Sequence, residues 1–228
     1  MALVLTGDDV HIWTVRHDDS TLHDEDRREL GVLSDAEIAR FNGFANPGQR
    51  ARRIHARAAL RRILASYLET SPGRIVIHTG PHGKPSVSGV EFNCSHSPSL
   101  TLVAVAAQSV GVDIEPVGAS DGIETIRHRF VNASDHGGTG VAERSSGSID
   151  LLRLWVIKEA SLKALGTGLT VDPRELSALS AAHDEFEVHR GADALCARLL
   201  AIPGGHVAGI AARTLPRVVM HDEPHTWS

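Results

Sequence analysis

The chain has 228 residues, 42% hydrophobic and 22% charged, ordinary globular proportions that exclude a largely disordered chain and a small disulfide-stapled one. At about 150 residues per domain that length bounds the protein at one or two domains. A formal net charge of −5 carries no nucleic-acid footprint, and no run of about 18 apolar residues offers a membrane span. The N-terminal MALVLTGDDVHIW lacks the basic start and long apolar core of a signal peptide. Cys94 and Cys196 form no C-x-x-C motif, which fits a reduced, cytoplasmic protein with both thiols as small buried residues. Of 23 Lys plus Arg only three are lysines: Lys84, Lys158 and Lys163.

In chain order, Val10–Val15 reads as a strand, and Ser34 caps a modest helix over Asp35–Phe44. A long helix is predicted from Pro47 to Leu68, where Leu60, Ile63, Leu64 and Tyr67 make one buried face. Its other faces carry Arg50, Arg52, Arg53, Arg57, Arg61 and Arg62, and Ser71-Pro72-Gly73 stops it. A short strand at Ile75–His78 and a loop through Gly80–Pro85 follow. Leu100–Ala107 is continuously apolar and reads as a buried strand; after a turn at Gln108-Ser109 comes another, Val110–Glu115, ended by Pro116. That turn is taken as the boundary between two subdomains, 1–108 and 109–228. The Gly- and Ser-rich segment 132–150 reads as a mobile loop and lacks the ending of a P-loop. Ser148 is expected to cap a helix to Leu165, followed by strands near Phe186–His189 and Val207–Ala212. The last dozen residues read as a loose tail.

On the strand Val110–Glu115, period two sends Val112 and Ile114 to one face and Gly111, Asp113 and Glu115 to the other. Two carboxylates then project about 7 Å apart, and Gly111 is read as leaving room for a ligand. Like charges this close repel unless a cation or a proton lies between them. The alternative is an edge strand with its acids in water. On the helix ending at Leu165, Leu152, Trp155, Glu159 and Leu162 or Lys163 form a stripe. A carboxylate on an apolar stripe is costly unless paired or metal-bound, so Glu159 becomes a third candidate ligand or general base. Its simpler role is an i,i+4 ion pair with Lys163.

Gly111-Val112-Asp113-Ile114-Glu115 and Trp155-Val156-Ile157-Lys158-Glu159-Ala160-Ser161-Leu162-Lys163, with 44 positions from Glu115 to Glu159, resemble the two signature motifs of Sfp-type 4′-phosphopantetheinyl transferases. Gly166-Thr167-Gly168-Leu169 resembles the segment that follows in that family. Gly83-Lys84-Pro85, Asn93-Cys94-Ser95-His96-Ser97 and the Arg52–Arg61 helix are similar to its upstream elements. The pieces come in family order over about residues 40–170.

The resemblance implies an α+β fold of two similar α/β subdomains related by a pseudo-twofold, with the active site in the cleft between them. It implies transfer of the phosphopantetheine arm of coenzyme A to a serine hydroxyl of an apo acyl or peptidyl carrier protein, with release of 3′,5′-ADP. Asp113, Glu115 and Glu159 would hold Mg²⁺, or Mn²⁺ in its place, and Glu159 would help remove the serine proton. Lys163 would face the diphosphate. Arg52, Lys84 and His96, with Ser95 beside them, would meet the 3′-phosphate side of coenzyme A. Lys158, rotated about 100° from Glu159 on the helix, is assigned no role, and a solvated position is the simple reading. A monomer that binds neither nucleic acid nor membrane is expected. Where the family has an acid near the start of the segment between its motifs, this chain reads Ser134-Asp135-His136.

Two other readings compete. Gly118-Ala119-Ser120-Asp121-Gly122 matches the nucleophile elbow of a serine hydrolase, which must follow a strand directly and open a helix. A non-catalytic coenzyme A or carrier-binding module would leave Glu159 without a purpose. His78 with His82, and His221 with His225, have zinc-like spacing but no third ligand.

Overall fold

A computed structural model describes residues 3–17, 26–136 and 147–223. In chain order its elements are β1 (Asp9–Arg16), α1 (Asp26–Leu30), α2 (Asp35–Asn42), α3 (Pro47–Leu68), β2 (His78–Thr79), β3 (Pro85–Ser86), β4 (Glu91–His96), β5 (Leu100–Ala106), β6 (Val110–Pro116), α4 (Ser120–Ile126), α5 (Ser148–Leu165), β7 (Ser177–Ala182), β8 (Glu185–Arg190), β9 (Asp193–Leu200), β10 (His206–Ala212) and β11 (Arg217–Asp222). One sheet has the order β11-β1-β5-β4, a second β6-β10-β9-β8-β7, and β2 pairs with β3 alone.

Each sheet carries one long helix. Asn46 caps α3, its Oδ1 accepting from Gln49 N–H at 2.9 Å, and Pro47 takes the first helical position. Leu60, Ile63 and Leu64 of α3 pack on Trp13, Val15, Phe92, Val103 and Val105 of the first sheet. Ile157, Ala160 and Leu162 of α5 pack on Val188, Leu195, Ala197 and Ala211 of the second. The other faces of the two sheets share a third cluster, with Val10, Ile12, Leu102 and Ala104 against Val112, Ile114 and Ile210. The α+β reading with two sheet-plus-helix halves therefore holds.

The sheets meet edge to edge. β4 and β6 are both outermost strands, and they are bridged through side chains. Asn93 Oδ1 on β4 accepts from Val112 N–H on β6 at 3.1 Å, so a buried backbone donor is satisfied without a shared ladder.

Several expectations need correction. Arg61, on a face of α3 away from its apolar stripe, is nevertheless buried, donating to Glu37, Pro72 O and Ile75 O, because one guanidinium can serve three acceptors. The helix α3 spans Pro47–Leu68 as expected, but Glu69 in the left-handed region (φ 48°) ends it ahead of the Ser-Pro-Gly run. The Ile75–His78 strand reduces to His78–Thr79. Ser148 lies inside α5, and the cap position is Gly147. The loop expected at 132–150 is ordered at both ends, with a 3-10 turn over Ala133–His136 and α5 from Ser148; residues 137–146 lie outside the described residues. The loose tail contains β11, which pairs in parallel with β1 from Asp9↔Arg217 to Thr14↔Asp222 and so returns to the first sheet. Both cysteines are unpaired, and they are half-buried rather than buried.

Candidate active site

The strand β6 presents its two faces as the alternation requires. Val112 and Ile114 enter the shared core, and Gly111, Asp113 and Glu115 face α5. The space beside Gly111 belongs to that helix. A Cβ there would stand 2.0 Å from Ala160 O and 2.4 Å from Ala164 N, so glycine is what lets α5 lie on the strand. No room for a ligand remains at that point. The close approach brings Glu159 and Lys163 of α5 to the acids of β6.

Lys163 does not pair with Glu159. Its Nζ donates to Asp113 Oδ1 at 2.6 Å, Ser95 Oγ at 3.1 Å and Val112 O at 3.2 Å. Ser95 Oγ in turn donates to Asp113 Oδ1 at 2.8 Å. Ser95 thus joins the acidic centre, at the seam where β4 meets β6. The remaining Asp113 oxygen, Oδ2, and Glu159 Oε1 are buried without a hydrogen-bond partner among the described residues. Burial, then the Asp113 charge, with Glu115 adding to it against Lys163, pushes the Glu159 carboxyl up to about 7. Burial and Asp113 also raise the Glu115 carboxyl, against Lys163 and a hydrogen bond from the Trp155 side chain.

These observations test whether a divalent cation suits the residues present. Orphaned carboxylate oxygens facing other acids are costly to bury, and oxygen is the donor Mg²⁺ prefers. The ion commonly takes one or two carboxylates and fills its shell with water and substrate phosphate. Asp113 Oδ2 and Glu159 Oε1 fit that demand. The three acids are not drawn together as a closed cage: among the described residues no three His, Cys, Asp or Glu side chains form a metal-holding group. That also disposes of His78 with His82; His225 lies outside the described residues.

A second set of candidates lies along α3 and the end of β4. His96 Nδ1 and His17 Nε2 both meet Thr101 Oγ1 at 2.8 Å, and His17 Nδ1 is 3.4 Å from His55 Nδ1. Crowding of its ring by neighbouring atoms, then the charges of Arg53, Lys163 and Arg57, push the His96 pKa down to about 4, although the residue keeps an exposed edge. His17 falls to about 3 through burial and then His55, His96, Arg52 and Arg53. Neutral imidazoles among cations mark a positive region. Arg52 and His96 are therefore linked through His17. Arg53 and Arg57, named among the arginines of the long helix but not among the expected coenzyme A contacts, are further cations here; their place one and five positions after Arg52 on α3 was the available signal.

Lys84 has other neighbours. Its Nζ donates to Ser109 Oγ at 3.2 Å and Val110 O at 3.5 Å, and burial lowers its pKa. Its Cδ would sit 3.6 Å from a Cβ on Gly166. Gly166 (φ 76°) ends α5, its N–H returning to Leu162 O and Lys163 O, so the Gly-rich segment after the signature helix is a helix stop.

Lys158 is not solvated. It is fully buried, and its Nζ donates to Asp135 Oδ2 at 2.7 Å and Phe130 O at 2.6 Å. Ser120 opens α4 behind a 3-10 turn over Val117–Ala119, not directly behind a strand. Among the described residues no histidine or carboxylate hydrogen-bonds to it, so the hydrolase elbow is not formed. No helix among the described residues is long and apolar enough to cross a membrane.

Residues 109–211 match the family described as the 4′-phosphopantetheinyl transferase superfamily. The chain is 33% identical over 174 residues to the 4′-phosphopantetheinyl transferase HetI of Nostoc sp., covering 73% of each chain. It is 26% identical over 132 residues to the 4′-phosphopantetheinyl transferase gsp of Aneurinibacillus migulanus, covering 58% of this chain and 55% of that one. The Helicobacter pylori holo-[acyl-carrier-protein] synthase solved with coenzyme A aligns with 46% of this chain and 99% of its own, at TM-score 0.38 and 14% identity. The match to HetI, a third identical over most of both chains and spanning both motif-bearing strands and helices, decides the matter: this chain belongs to the 4′-phosphopantetheinyl transferase superfamily and is an enzyme of that class.

Proposed function

We propose that the chain transfers the phosphopantetheine arm of coenzyme A to a serine hydroxyl of an apo acyl or peptidyl carrier protein, with Mg²⁺, releasing 3′,5′-ADP. It does so as a cytoplasmic monomer of two halves that divide near residue 108, with the C-terminal strand β11 crossing back to the first. The observation that carries this reading is the cluster at the β4–β6 seam. There Lys163 and Ser95 hold one oxygen of Asp113 while Asp113 Oδ2 and Glu159 Oε1 stay open.

In the reaction a bond forms between the carrier serine oxygen and the pantetheine-side phosphorus, and the bond from that phosphorus to the ADP oxygen breaks. Glu159, whose Oε1 is left without a hydrogen-bond partner among the described residues, is suited to take the serine proton directly or through water. Lys163, on the same helix face, is a compact ammonium for the charge that gathers on the leaving diphosphate oxygen. Arg52 and His96, with Arg53 and Arg57 near them, are suited to the 3′-phosphate side of coenzyme A; Lys84, held apart against Ser109 and Val110, is assigned to that side by the family resemblance alone. Asp113, Glu115 and Glu159 would hold Mg²⁺, which neutralises phosphoryl oxygens and orders the in-line displacement.

The test uses purified protein with Mg²⁺, coenzyme A and a panel of apo carrier proteins from fatty-acid, polyketide and nonribosomal-peptide synthesis. Intact-mass spectra should show at least one carrier gaining one phosphopantetheine arm, and none doing so when EDTA replaces Mg²⁺. No gain on any carrier would sink the proposal; gain in EDTA would remove the metal from it.

A further inference from the structure

Lys158 is the one fully buried ammonium among the described residues, and the proposed chemistry makes no use of it. Its partner Asp135 is saturated. Oδ2 accepts from Lys158 and from Asn132 N–H at 2.8 Å, and Oδ1 accepts from Ala178 N–H at 3.0 Å on the outermost strand β7. Asn132 Nδ2 extends the brace, donating to Arg174 O at 2.8 Å and Leu176 O at 2.6 Å. The pair therefore anchors α5 to the chain just after α4 and to the edge of the second sheet.

Buried ion pairs are seldom retained for stability alone, since well-packed apolar residues often serve as well or better. Position suggests another use. Lys158 and Glu159 are adjacent and about 100° apart around the helix, so fixing the first at the brace fixes the azimuth of the second. A second route runs through Phe130. The carbonyl of Phe130 is held by Lys158, its ring meets Trp155 edge-on with centroids 5.2 Å apart, and the Trp155 side chain stands beside Glu115, close enough to lower the pKa of that carboxyl.

We infer that the Lys158–Asp135 pair is a positioning device for the acidic centre: it sets where Glu159 and, through Phe130 and Trp155, Glu115 stand toward a divalent cation. This rests on the transferase reading above. The decisive variant is the neutral double exchange Lys158→Met with Asp135→Asn, which removes both charges and keeps an oxygen for Ala178 N–H. Thermal unfolding establishes that it folds. Mg²⁺ affinity is then measured by calorimetry without any carrier, beside kcat and KM for coenzyme A.

The double variant should lose about tenfold or more in both kcat and Mg²⁺ affinity, the usual cost of losing an outer-shell support. KM for coenzyme A should stay within about twofold of wild type. A folded double variant with kcat and Mg²⁺ affinity both within about twofold of wild type would overturn the inference and leave the pair a structural brace. Should the double variant not fold, Asp135→Asn alone is held to the same two readouts. If the wild-type protein modifies no carrier, the transferase reading falls, whereas the cation affinities still decide what the pair does.

Discussion

Helix α5 carries two lysine–aspartate pairs five residues apart, and they are nearly identical in geometry. Lys158 stands 2.7 Å from Asp135, and Lys163 stands 2.6 Å from Asp113. Their surroundings differ. Lys158 and Asp135 are 0% and 2% exposed, and every oxygen of Asp135 has a partner. Lys163 is 24% exposed, Asp113 Oδ2 has no hydrogen-bond partner among the described residues, and two more carboxylates press on the same point. The first pair has nothing left to bind. The second holds unmet acceptors and repelling acids, which a cation, a proton or a phosphate-bearing substrate relieves. Ion-pair distance alone does not separate a support from a reactive centre; the count of unmet hydrogen-bond groups does.

The largest effect that sharpens this contrast is expected at Glu159. Glu159→Gln should lower carrier modification by about 10²–10⁴-fold, the range for losing a positioned proton acceptor, with the unfolding midpoint at pH 8 unchanged or higher. The sign follows from linkage. The folded-state carboxyl at about 7 lies above its ordinary 4.5, so the folded protein binds this proton more tightly than the unfolded chain. Its contribution is fully present below pH 4.5 and is lost as pH rises through 7. Urea midpoints of wild type in EDTA should therefore fall more between pH 5 and pH 8 than those of Glu159→Gln; equal slopes would refute the raised carboxyl.

Lys158→Met alone attacks the saturated pair and leaves a buried carboxylate without its cation. About 3–5 kcal/mol of stability should be lost, the usual cost of breaking a buried pair from one side, read from urea unfolding. A loss under about 1 kcal/mol would mean that the pair is not sealed as described. Gly111→Ala tests the contact that brings both pairs to the site. Its Cβ would collide with the Ala160 and Ala164 backbone of α5, so about 1–3 kcal/mol of overpacking is expected, together with weaker transfer as the helix is pushed off β6.

Much of this architecture was legible in the sequence, and the gaps have physical causes. The buried face of α3 and the alternation of β6 are local patterns, so Leu60, Ile63 and Leu64, and the sorting of Val112 and Ile114 from Asp113 and Glu115, came out as read. Gly111 showed that something approaches β6 but not that it is a helix backbone. The local i,i+4 rule could offer Lys163 only Glu159 as a partner, whereas the partner it has lies 50 positions upstream in sequence. Lys158 looked solvated because its partner, 23 positions upstream, stands just before the Gly- and Ser-rich stretch that hid the ordered turn at Ala133–His136. Strand β11 escaped notice because Arg217, His221 and Asp222 interrupt its short apolar run, and its pairing with β1 spans nearly the whole chain.

The smallest expected effect concerns lysine against arginine, in a chain with three lysines and twenty arginines. All three lysines have specific settings: Lys84 against Ser109 and Val110, Lys158 in the sealed pair, Lys163 in the open one. The Lys163 ammonium serves three oxygens within 3.2 Å from one nitrogen, which a wide planar guanidinium cannot do in the same space. Lys163→Arg keeps the charge and should still lower kcat about tenfold, equivalent to about 1.4 kcal/mol. Arg127→Lys, an exposed i,i+3 partner of Glu124, is the control and should change activity and stability little. Equal activity of the two variants would show that the open pair needs only a positive charge, not a compact one, and the contrast with Lys158 would then rest on burial alone.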